Sequence, residues 1–103
     1  MSWFSYVGAN AYGGAKAAEW SLTNGIRLEL AEQGTLVTGV HLGAADTDMM
    51  AGYDGDKVDP ALVAAALDGI EAGHIEVIVD DWTAKIKASL AHDPSAFYQL
   101  AAV

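Results

Sequence analysis

Residues 36–42 read LVTGVHL, a run that is short, rich in β-branched side chains and apolar on both parities. A strand with one wet face alternates polar and apolar residues, whereas a strand covered on both faces shows this pattern, so Leu36 to Leu42 reads as a buried strand. Upstream, between Ala11 and Gln33, the positions Ala15, Ala18, Leu22, Ile26 and Leu30 recur at three- and four-residue spacing and mark one face of a helix. Gly34 follows as its C-cap residue. Downstream, Asp59 and Pro60 read as N-cap and first helical residue. They open a second helix whose stripe of Leu62, Val63, Ala66, Leu67 and Ile70 ends before Gly73. Ile75 to Val79, IEVIV, is a second strand. DDWTAKIKASL then carries an aspartate cap and places Trp82, Ile86 and Leu90 on one face of a third helix. The tail after Pro94 adds a short fourth. Helix, strand, helix, strand, helix is the order of an α/β protein with parallel strands, because a helix between two strands is the usual parallel crossover.

Composition bounds the rest. The chain has 103 residues, 52% of them hydrophobic, with no internal repeat or dividing linker, which suits a single small domain. Fourteen acidic against five basic residues give a formal charge of -9, a surface that repels nucleic acid and anionic membranes. No cysteine is present, so neither disulfides nor thiolate chemistry enter. No apolar run approaches the roughly 18 residues of a membrane span, and the start MSWFSYVGAN lacks a basic flank, so a cytoplasmic location is expected.

The segment AYGGAKAAEWSLTNGIRLELAEQGTLVTGVHLGAADTDM resembles the second half of the short-chain dehydrogenase/reductase family, and the similarity extends from Ser2 to about Leu90. It rests on four features in order: a Tyr-x-x-x-Lys pair opening a long helix, an Ala-rich turn after it, the buried strand, and a Gly-x-x-x-Thr turn from Gly43 to Thr47. The resemblance implies the C-terminal part of a Rossmann-type doubly wound parallel sheet, with about two strands and three to four helices. It also implies NAD or NADP as cofactor, Tyr12 as general acid/base, and Lys16 as both its partner and a holder of the nicotinamide ribose. Gly43 and Thr47 are then expected on the cofactor, and Met49, Met50 and Tyr53 on the substrate side of a lid. The spacing suits the chemistry independently of the family. Residues four apart share a helix face, and a neighbouring cation favours the phenolate form of a phenol.

The chain departs from the family in places. Leu42 and Gly43 stand where Pro-Gly is usual. The catalytic serine and the relay asparagine have no match, since Ser2 and Ser5 lie too close to Tyr12. No strand, Gly-rich turn and helix N-terminus precede Tyr12 to receive a pyrophosphate. A missing N-terminal half is therefore expected, and tight nicotinamide binding by this chain alone is not. The five aspartates between Asp46 and Asp59 fit no calcium-loop spacing, and His41, His74 and His92 lack metal-ligand spacing, so no metal is expected. Two functions stay open: a segment of a short-chain oxidoreductase, or a non-catalytic remnant that self-associates. Either way a two-stranded sheet leaves open edges, and a homo-oligomer is expected.

Overall fold

The computed structural model describes residues 2–43, 52, 55 and 57–99. Among these residues four α-helices and two strands follow one another as α1 (Asn10–Leu30), β1 (Gly39–His41), α2 (Ala64–Glu71), β2 (Glu76–Ile78), α3 (Asp81–Ser89) and α4 (Pro94–Tyr98), with one 3₁₀ turn, Pro60–Val63, leading into α2. β1 and β2 pair in parallel with Val40 opposite Val77. The chain is an α/β protein, as the element order implies.

Local chemistry sets the element ends. After α1, Gly34 adopts φ 74°, its N–H donates to Ala31 O at 3.1 Å, and the N–H of Thr35 donates to Leu30 O at 3.4 Å. This is the doubly bonded stop that needs a residue free to take positive φ. Gly73, at φ 81°, repeats it after α2, with its N–H on Ile70 O and that of His74 on Gly69 O. Three aspartates cap the starts of the 3₁₀ turn, α3 and α4. Asp59 Oδ1 accepts from Ala61 N at 2.9 Å ahead of Pro60, Asp80 Oδ2 from Thr83 N at 3.0 Å, and Asp93 Oδ1 from Ser95 N at 2.8 Å ahead of Pro94.

Adjacent strand residues point to opposite faces of the sheet. Glu76 receives the indole N–H of Trp20 from α1 and the ammonium of Lys87 from α3, so both helices lie on its face. Gly69 of α2 meets the opposite face so closely that a Cβ there would stand 2.5 Å from Val77 Cγ2. Helices therefore flank both faces of β2. Gly13, Gly14 and Ala17 near the start of α1 line a groove with Trp3, whose ring stacks on His41 at the carboxyl end of β1, so α1 runs against the strand direction. Its Arg27 reaches the carbonyls of Val37 and Ile75 at the strand entrances, so the turn holding Tyr12 and Lys16 extends toward their carboxyl ends.

Two expectations are corrected. The stripe of α1 expected to face the core is turned outward: Ala15, Ala18, Leu22 and Ile26 are exposed, Leu22 by 63%, and Leu30 is half-buried. The opposite face, Gly13, Lys16, Trp20, Thr23 and Arg27, meets the protein, because long polar-tipped side chains span to a two-stranded sheet that offers no broad apolar floor. The strands are also shorter and less covered than LVTGVHL and IEVIV suggest. Arg27 occupies the carbonyls of Val37 and Ile75, and α2 covers β2 but leaves Val40 of β1 open. Among the described residues the apolar core consists of Trp3, Val58, Ala66 and Ile86, joined by the fully buried Thr83. Beside it, Phe4 gathers Trp82, Phe97 and Tyr98 within 6 Å between ring centroids, and the hydroxyl of Tyr98 accepts the N–H of Ser5.

Candidate active site

Tyr12 and Lys16 lie in the first two turns of α1. The ammonium of Lys16 stands over the Tyr12 ring, 5.7 Å from its centroid, and also pairs with Glu19 at 3.4 Å. At 100° per residue the two side chains share one flank of the helix, with the ring half-exposed to solvent. The Lys16–Glu19 pair is exposed and contributes under about 1 kcal/mol. Its larger effect is to divide the lysine's charge between a carboxylate and the ring.

Gly43 lies two residues beyond β1, at the carboxyl end of the sheet, where open α/β sheets bind ligands. Its N–H donates to Asp80 Oδ1 at 2.9 Å, and a Cβ on it would stand 3.4 Å from Asp80 Oδ2. The close approach that glycine permits here is thus taken by the α3 cap. Thr47, Met49, Met50 and Tyr53 lie outside the described residues.

A groove of about 440 Å³ opens on another flank of α1, between its first turns and the N-terminal segment. Asn10, Gly13, Gly14 and Ala17 form its helical wall, and Trp3 and Trp20 its aromatic side. Tyr12 and Lys16 stand outside it. We give the pair more chemical weight than the groove, whose walls carry no ionisable side chain.

A polar cluster that the sequence reading did not single out lies beneath Trp3. His41 stacks on the Trp3 ring at 4.0 Å between centroids and 24° between planes, and Trp20 meets the same indole edge-on at 5.5 Å. Glu76 Oε2 accepts from Trp20 Nε1 at 3.0 Å, Glu76 Oε1 pairs with Lys87, and the Lys87 ammonium lies over Trp3 at 5.5 Å from the centroid. Among the described residues, Trp3 Nε1 and His41 Nε2 are buried without hydrogen-bond partners. These residues are 11 to 84 positions apart and follow no period, so spacing gives no sign of them. The alternation of Glu76 with Val77 and Val79 was the one available hint, a charged residue inside an apolar strand. Among the described residues no three His, Cys, Asp or Glu side chains are placed to hold a metal, and no helix is long and apolar enough to cross a membrane.

Comparison with protein-family models, with curated proteins and with solved structures found no match to this chain.

Proposed function

We propose that the chain is the C-terminal segment of a nicotinamide-dependent oxidoreductase of the short-chain dehydrogenase/reductase type, its two parallel strands belonging to a larger doubly wound Rossmann-type sheet. One observation carries the reading: a lysine ammonium poised over a tyrosine ring, on the turn of α1 that extends toward the carboxyl ends of two parallel strands. In that role Tyr12 exchanges a proton with a substrate oxygen at its hydroxyl, and Lys16 is the cation that stands beside its ring. NAD or NADP is the cofactor of this reading and supplies the hydride chemistry. The described residues do not complete a site for it. Lys16 is a cation suited to ribose hydroxyls, but the Gly43 N–H is engaged by Asp80, and no strand, Gly-rich turn and helix N-terminus occur among them to hold a pyrophosphate.

The test is an NMR titration of the chain with NADH and with NADPH. Weak, millimolar-range shifts at Tyr12 and Lys16 that vanish in Lys16→Ala support the reading. Shifts that persist in Lys16→Ala, or none near α1, overturn it, and a micromolar affinity in calorimetry refutes the expected lack of a pyrophosphate cradle.

A second reading, a non-catalytic protein that associates with itself, is favoured by the outward stripe of α1. Leu22 and Ile26 are exposed on one flank with Ala15 and Ala18, and the outer part of β1 leaves Val40 open. Both readings share the homo-oligomer, which covers these surfaces and the sheet edges.

A further inference from the structure

We propose that His41 is a proton-sensitive latch, which fastens Trp3 and the α1 layer to the sheet while its ring is neutral and releases them on mild acidification. The proposal is independent of the oxidoreductase reading. It stands on how five elements converge.

The His41 side chain is only 10% exposed. Trp3 of the N-terminal segment covers one ring face. On the strand side, Nε2 is close enough to Gly39 that a Cβ there would stand 3.1 Å away. From β2, Glu76 Oε2 faces Nε2 at 3.8 Å, beyond hydrogen-bond reach, and already accepts the Trp20 N–H from α1. From α3, the Lys87 ammonium takes the other oxygen of Glu76. Both oxygens of the carboxylate thus have a partner with His41 neutral, and among the described residues Nε2 is left buried without one.

A proton on Nε2 places a cation in this enclosed site beside a second cation. Either Glu76 turns toward His41, which loosens its contacts with Trp20 and Lys87, or the imidazolium leaves the Trp3 face for water. Each course loosens or breaks a contact that joins α1, α3 or the N-terminal segment to the sheet. Burial first, then the Lys87 ammonium and the charge of the chain's amino terminus, hold the imidazole below its ordinary value. The fastened state binds the proton less tightly than the released one. Its advantage is accordingly whole above about pH 6.5 and is lost as the pH falls below that value. Because α1 carries Tyr12 and Lys16, release also moves that pair away from the carboxyl ends of the strands.

The experiment follows the full chain from pH 8 to pH 5 by near-ultraviolet circular dichroism and tryptophan emission, with far-ultraviolet dichroism as a gauge of helix. The expected result is loss of near-ultraviolet amplitude and a red shift in emission, with a midpoint below pH 6.5 and helix content retained. His41→Phe, which keeps a stacked ring and leaves His74 and His92 in place, is expected to give a flat profile. A constant wild-type signal, or the same transition in His41→Phe, overturns the latch. Should that variant fail to fold, the titration of the His41 ring protons in the wild-type chain decides. A midpoint below 6.5 supports the proposal. A midpoint above it shows that Glu76 captures the proton and that acid tightens the contact, which overturns it.

Discussion

Replacing Asp80 with alanine removes one carboxylate and three attachments. Its Oδ2 caps α3 through Thr83 N, both oxygens accept the Thr83 hydroxyl at 2.9 Å, and Oδ1 holds the Gly43 N–H at the end of β1. Loss of an N-cap alone costs about 0.5–2 kcal/mol. The two other groups are left without their acceptor, the Thr83 hydroxyl at a fully buried position and the Gly43 N–H at a half-buried one, each orphan costing about 1–3 kcal/mol. Taking the lower part of the range for Gly43, whose N–H has access to water, the expected loss is about 3–5 kcal/mol, a large share of the roughly 5–15 kcal/mol that keeps a small domain folded. Asp80→Asn retains one acceptor oxygen and is expected to cost about 1–2 kcal/mol, the price of the attachments that a single oxygen cannot keep. Urea denaturation at fixed protein concentration measures both as shifts in midpoint at constant slope. An Asp80→Ala loss below about 1 kcal/mol, inside the range of the cap alone, refutes the reasoning that one side chain joins β1 to α3.

Gly69→Ala inserts a methyl group against Val77 Cγ2 and is expected to destabilise by about 1–3 kcal/mol despite alanine's better helix propensity, with Val77→Ala restoring much of the loss in a double-mutant cycle. Leu22→Asp combined with Ile26→Asp is expected to leave the fold intact, because both side chains are exposed, and to lower the molar mass seen by light scattering. A wild-type chain that scatters as a folded monomer at micromolar concentration refutes the oligomer. Phe4→Ala, which removes the ring that Trp82, Phe97 and Tyr98 share, is expected to cost about 3–5 kcal/mol and to free the N-terminal segment to limited proteolysis.

Chain punctuation was legible because it is local. Gly34, Gly73, Asp59 with Pro60, Asp80, and Asp93 with Pro94 act within a few residues of themselves, and each ends or begins an element in the way its chemistry dictates. The buried side of α1 was not legible. Periodicity assumes that an apolar stripe finds an apolar partner, and here Trp20 and Arg27 reach the sheet with an indole N–H and a guanidinium while Leu22 and Ile26 look outward. The N-terminal aromatics escaped notice for a different reason. Trp3 and Phe4 belong to no repeating element, and apart from the neighbouring Tyr6 their ring partners lie 17 to 94 residues away. At the candidate site, spacing sufficed to put Tyr12 and Lys16 on one flank. The engagement of Gly43 by Asp80 depends on two loops meeting and has no local signature.

Arg27 bears on how the sheet finds its alignment during folding. Strands of three residues have little of their own to fix register, since a slip by one residue exchanges the two faces at modest expense in backbone hydrogen bonds. The guanidinium removes that degeneracy. Its Nε is bound to Val37 O, ten residues away in sequence, and its Nη2 to Ile75 O, 48 residues away. The first contact closes a short loop and can form early, alongside α1 itself. The second must wait for a distant segment, yet when it arrives a positioned donor meets it at the residue preceding β2. A slipped strand would bring an N–H or the wrong carbonyl to that donor. The helix thus acts as a template that β2 reads on arrival, and alignment of the parallel pair is inherited from a side chain that belongs to neither strand.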